Sequence, residues 1–102
     1  KWREIYGLML RNKLAILAVQ ETHLSQAQVN EINQSWFGKK LVVFNTIDPE
    51  HPNAAGTAIV LNKDLVNTNL AKVYYIVPGR ALCLKIPWYK NDTLSILATY
   101  AP

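Results

Sequence analysis

Cysteine is nearly missing from this sequence: Cys83 is the only one in 102 residues. No internal disulfide can form. A solitary thiol inside an apolar strand pattern suits a reducing compartment and an inert, buried role. Histidine is almost as scarce. His23 and His51 lie far apart with no cysteine near either, which argues against a zinc site. Acidic residues are outnumbered, 7 against 11 lysines and arginines, giving a net charge of +4. That balance is compatible with a phosphate-bearing partner, although no basic run concentrates it. Lys39-Lys40 is the closest pairing, and such a pair is more often just a solvated turn. No apolar run is long enough to cross a bilayer. Lys1 to Leu10 lack the apolar core and cleavage site of a signal peptide. No Walker loop, dinucleotide fingerprint or Gly-x-Ser-x-Gly elbow occurs, which sets aside the phosphate-cradling loops and the nucleophile elbow.

What is present is a globular composition. Half the residues are hydrophobic and 18% are charged, a balance that excludes a disordered chain. The length suffices for one small domain with a real core. Residue 1 is a lysine inside a helical pattern, and Ala101-Pro102 follow directly on a strand-like run. The sequence therefore reads as a piece of a longer chain.

Trp2, Ile5, Tyr6 and Met9 keep the spacing of one helix face, so Lys1 to Arg11 is expected to be an amphipathic helix, weakened by Gly7. Arg11, Asn12 and Lys13 suit its end. Leu14 to Val19 or Gln20 is an unbroken apolar run between polar flanks, which predicts a strand buried on both faces. The second helix is the best marked. Ser25 is its N-cap, Gln28 completes a capping box, and Leu24 and Val29 stand at the positions of a hydrophobic staple. Val29, Ile32 and Trp36 are expected on its buried face, with Gly38 as the left-handed residue that ends it.

Strands are expected at Leu41 to Asn45, Thr57 to Leu61, Val73 to Val77, Ala81 to Ile86 and Thr93 to Thr99. Asp48 to Gly56 is a loop punctuated by Pro49, Pro52, Asn53 and Gly56. Val77-Pro78-Gly79-Arg80 places proline and glycine at the centre of a type II turn. Trp88 to Asp92 is a polar-aromatic loop. Two helices and about six strands, most of them joined by short loops, predict an α/β fold with a largely antiparallel later sheet.

The functional reading starts at Glu21. The chain changes character within one residue after Val19, to Gln20, Glu21, Thr22 and His23. A carboxylate at the exit of a buried strand is costly unless something neutralises it, and ligands of open α/β sheets gather at strand ends. A Mg²⁺ site needs only one or two protein carboxylates plus substrate phosphate, and Glu21 suits that role. The competing reading makes Glu21 a cap for the next turn or the partner of a lysine.

The stretch Ala18-Val19-Gln20-Glu21-Thr22-His23-Leu24 resembles the first metal-site motif of the endonuclease/exonuclease/phosphatase superfamily. That group includes apurinic endonucleases, pancreatic deoxyribonuclease, inositol-phosphate phosphatases and the endonucleases of LINE-type retrotransposons. Gly56 to Leu61 resembles the Gly-x-Ala strand that follows this motif in the family. Pro78-Gly79-Arg80-Ala81-Leu82 resembles its Gly-Arg strand start, and Ile96 to Pro102 its strand ending in Tyr-Ala-Pro. The wording Gln-Glu-Thr-His-Leu, together with Tyr-Ala-Pro, looks most like the retrotransposon branch.

The resemblance implies a four-layer α/β sandwich, with two mostly antiparallel sheets face to face and helices outside. It implies that Glu21 binds the catalytic Mg²⁺, with Mn²⁺ as an alternative, and that Tyr100 helps hold the scissile phosphate at the same end. DNA is the implied partner. His23 is not one of the family's general bases, and is a loop helper, a substrate contact or a surface residue. Arg80 meets phosphate or ends a turn, and stays outside the expected site. The family's first strand, its Asp-x-Asn motif and its final Asp-His pair are absent from these residues. Residues 1–102 are thus expected to be a partial domain, truncated at both ends, of a phosphodiester-cleaving endonuclease. A small-molecule or lipid phosphatase of the same fold, and an inactive remnant serving as a binding module, are the competing functions.

Overall fold

A computed structural model describes residues 1–51 and 55–100. The chain runs α1 (Trp2–Arg11), β1 (Ile16–Gln20), α2 (Gln26–Gln34), β2 (Leu41–Thr46), β3 (Thr57–Asn62), β4 (Lys72–Val77), β5 (Ala81–Pro87) and β6 (Thr93–Thr99), with short 3₁₀ turns at Trp36–Lys39, Thr68–Leu70 and Tyr89–Asn91. The strands form two antiparallel sheets of three, in the orders β1-β3-β2 and β4-β5-β6.

The central strand β3 divides the core in two. It is buried along its whole length, and its side chains alternate between faces. Ala58 and Val60 face the helices, joining Ile5 and Met9 of α1, Val29 of α2, and Phe37. Ile59 and Leu61 face the second sheet and meet Leu82, Leu84 and Ile86 of β5. Each such large side chain removed from water contributes roughly 1.5–3 kcal/mol. Helices, first sheet and second sheet are thus three of the four expected layers. No helix covers the outer face of the second sheet among the described residues.

The first helix ends on a residue that is rarely asked to do so. Leu14 N–H donates to Met9 O at 2.9 Å and Lys13 N–H to Leu10 O at 3.4 Å, the bond pattern of a Schellman motif. Lys13 occupies the left-handed position with φ +52°. In α2 the capping box is formed in both directions: Gln28 N–H donates to Ser25 Oγ at 3.2 Å, and Ser25 N–H to Gln28 Oε1 at 2.9 Å. The staple residues Leu24 and Val29 are both buried. Asn33 then binds α2 to the outer edge of β2, donating from Nδ2 to Val43 O and accepting the Val43 N–H on Oδ1. That clasp satisfies backbone groups an edge strand would otherwise leave bare.

Three expectations fail here. The Leu14 run is not a strand buried on both faces. The strand begins at Ile16, lies at the edge of its sheet and is only half-buried; β3 holds the central place. Trp36 is not on the buried face of α2 either. The helix stops at Gln34, and Trp36 opens a 3₁₀ turn with its side chain 47% exposed, packed edge-on against Tyr6. Gly38 lies inside that turn and has no positive φ. Glycine is required there because any Cβ would run into the Asn33 carbonyl. The type II turn is formed as expected, with Gly79 at φ +76° and Arg80 N–H donating to Val77 O at 2.9 Å.

Candidate active site

The two sheets bring the ends of β1 and β6 together. Gln20, the last residue of β1, donates from Nε2 to the carbonyl of Thr99, the last of β6, at 2.8 Å. The residue that follows each strand is a predicted site residue, Glu21 after β1 and Tyr100 after β6. The Tyr100 backbone is fixed by its N–H donating to Arg80 O at 2.7 Å. Its phenol is raised above the ordinary pKa of 10 chiefly by hydrogen-bonding toward the Glu21 carboxylate, with some burial and the adjacent negative charge adding to the rise and nearby Arg80 opposing it. Glu21 Oε2 also lies 3.0 Å from His23 Nε2, and the two side chains are 47% and 49% exposed. The Lys1 ammonium reaches the Glu21 backbone carbonyl at 3.0 Å.

Two residues expected in the site thus meet, and a third, His23, joins them as a direct partner of Glu21. Arg80 lies close enough to act electrostatically on both Tyr100 and Asp48. A depression of about 250 Å³ beside it is lined by Asp48, His51, Ala55, Pro78, Gly79 and Arg80. There the Asp48 carboxyl sits below its usual range, because it accepts the Glu50 N–H and contacts the His51 ring at 3.2 Å. Asp48, Glu50 and His51 place ligand atoms within 4.8 Å of one another, yet Asp48 already spends its oxygens on those two neighbours.

The backbone around Glu21 is unusual. Glu21 and His23 both have positive φ, +56° and +51°, a conformation that costs a non-glycine residue on the order of 1 kcal/mol or more. Between them Thr22 is buried, and its hydroxyl donates to Asn45 Oδ1 at 2.7 Å. Asn45 in turn donates from Nδ2 to Leu24 O at 3.2 Å. Thr22 N–H and His23 N–H bond to Gly56 O and Ala55 O at 3.3 and 3.0 Å. Gly56 has φ +98° and passes so near that a Cβ there would strike the Thr22 hydroxyl. Asn45 was not among the sequence candidates. Its signal is a lone amide closing the apolar run Leu41 to Phe44, at a strand end on the same side of the sheet as Glu21.

The Glu21 carboxylate has the chemistry for a cation that keeps most of its water. It is half-exposed, and among the described residues its ion-pair partner is the His23 imidazole rather than a lysine or arginine side chain. One such carboxylate suits Mg²⁺, which completes its shell with water and substrate phosphate.

No protein-family model matches the sequence, and no curated protein matches it. Among solved structures the chain resembles the crystal structure of AP endonuclease LMAP from Leishmania major, with a TM-score of 0.70 at 16% identity over 96% of this chain. It shares part of an endonuclease's fold. The likeness covers 34% of that protein, so the chain spans about a third of its length. Two facing antiparallel sheets with helices on one outer side are a portion of a deoxyribonuclease-like α/β sandwich.

Proposed function

We propose that this chain is the amino-terminal part of a Mg²⁺-dependent endonuclease domain that cleaves phosphodiester bonds in DNA, of the kind carried by LINE-type retrotransposons. The observation that carries the reading is the meeting of Glu21 and Tyr100. They are 79 residues apart in sequence, follow directly on strands of different sheets, and are brought side by side where Gln20 Nε2 donates to the Thr99 carbonyl at 2.8 Å. The endonuclease fold of the solved neighbour supports it, as does the ordered set of motifs around Glu21, Gly56, Gly79-Arg80 and Tyr100. The retrotransposon assignment rests on the wording of those motifs alone.

Bound Mg²⁺ supplies Lewis-acid stabilisation of the charge that develops on the phosphoryl oxygens and leaving group. The chain's own residues have narrower tasks. Glu21 would hold the cation. The Tyr100 hydroxyl, neutral at working pH as an ordinary phenol is, would donate to a phosphate oxygen. Arg80 adds positive charge beside it. The overall charge of +4 favours approach of a polyanion and makes binding weaken with salt.

Glu21→Gln is the test, because it keeps the shape and removes the charge. In the full-length protein it is expected to leave the fold intact and to cut DNA nicking by at least ~10²-fold, the scale of losing a main electrostatic stabiliser. Part of the loss should return at high Mg²⁺. Nicking at the parental rate across a Mg²⁺ titration would make Glu21 a structural residue and overturn the proposal.

A further inference from the structure

Glu21 is aimed from a distance. It is the one residue between two fixed points. On one side Gln20 is paired with Thr57 in the ladder of the first sheet. On the other, Thr22 is held by its hydroxyl to Asn45 and by its N–H to Gly56. With both neighbours pinned, the left-handed conformation of Glu21 has no room to relax toward the extended region, and that conformation sets where the carboxylate points.

We infer that Asn45, acting through Thr22, is a positioning residue for the Glu21 carboxylate. A single buried amide does two jobs here. Its oxygen takes the Thr22 hydroxyl and its nitrogen gives to the Leu24 carbonyl. Residues 22 and 24 are therefore anchored to the end of β2, and His23, between them, is forced into its own positive φ beside Glu21. Asparagine meets both demands because it carries an acceptor and a donor on one planar group. Aspartate would keep the first and lose the second. Gly56 belongs to the same device, since only a residue without a side chain passes this close to Thr22. Both contacts are buried, so water cannot substitute for a lost partner.

The functional meaning rests on Glu21 being the metal ligand, so the experiment reads aim and metal separately, in the full-length protein. Aim is read without metal, from the amide coupling constants and shifts that report positive φ at Glu21 and His23. Metal is read as affinity for Mn²⁺ and Mg²⁺ alone. Thr22→Val, nearly isosteric but without the hydroxyl, is expected to erase the left-handed signature at Glu21 and weaken metal binding by about 10-fold or more, the usual cost of losing a group that orients a ligand. Thr22→Ser should restore both. If Thr22→Val does not fold, the double change Thr22→Val with Asn45→Leu is read in its place: it leaves neither the hydroxyl nor its acceptor unpaired, at the cost of the donor to the Leu24 carbonyl, with metal binding still weakened. Unchanged couplings and affinity in the valine variants would overturn the inference. Were Glu21→Gln to bind metal like the parent, the metal reading would fall, and the couplings alone would still decide whether Asn45 aims Glu21.

Discussion

At the scale of single residues the site is a meeting of strand ends, and its chemistry lies in who shares a proton with whom. Tyr100 stands beside Glu21, and hydrogen-bonding toward that carboxylate raises the pKa of its phenol. The sign follows from linkage: a group whose folded pKa is raised adds stability fully present below its unfolded pKa near 10, and this is lost as pH rises through the folded value. The titration therefore falls on the alkaline side, and neutral pH leaves the bond intact. A difference titration of phenolate absorbance, parent minus Tyr100→Phe, should show one tyrosine ionising above the ordinary range. Glu21→Gln removes the charge and the anionic acceptor, so the same phenol should then ionise nearer 10. A Tyr100 transition unmoved by that change would mean the two side chains do not meet. Glu21 and Tyr100 were legible as candidates because motif and strand end coincide at each. Their contact was not, because pairing across two sheets leaves no periodic trace in the sequence. Asn45 escaped for the same reason: its partners lie 21 and 23 positions away.

At the scale of elements, what could be read from the sequence was what is decided locally. The box and staple around Ser25 fix where α2 starts, and with it the direction the chain takes after Glu21. Ser25→Ala should cost on the order of 1 kcal/mol of stability in a denaturant titration, while Ser25→Asp should be nearly neutral because aspartate also caps. Equal losses from the two would show that the serine hydroxyl does not act as the cap. The end of α2 was misread for an equally physical reason. Gly38 has the composition signal of a helix terminator, but its role is steric, at a close approach to the Asn33 carbonyl. That approach exists because Asn33 is clasped to Val43, a tertiary fact. Strand β1 was misplaced because an apolar run looks the same at the centre of a sheet and at its edge. Which strand is central is settled by pairing, and here Thr57 to Asn62 takes that place between both neighbours.

At the scale of the whole molecule the two sheets are treated unequally. The first is sheltered by α1 and α2. The second turns its other face outward with Tyr74, Cys83 and Leu97 in one row across its three strands, and Leu97 is 62% exposed. The next row sets Lys72 directly opposite Lys85. Like charges so placed repel, and Lys85 turns over the Tyr74 ring, 5.5 Å from its centre. Among the described residues both sheets also end in open edge strands, β1 and β2 in one, β4 and β6 in the other. β2 is partly covered by Asn33, and the lysines discourage pairing along part of β4. β6 carries no charge between Thr93 and Thr99, which makes it the edge most prone to join another chain. Residues 1–102 prepared alone should therefore self-associate or remain partly molten. Leu97→Lys, which puts a charge on β6 within the apolar row, should shift the population toward monomer in sedimentation velocity. A monomeric parent with a cooperative thermal transition and dispersed amide signals would contradict this, and would mean that three layers suffice to hold the Glu21 end of the sandwich together.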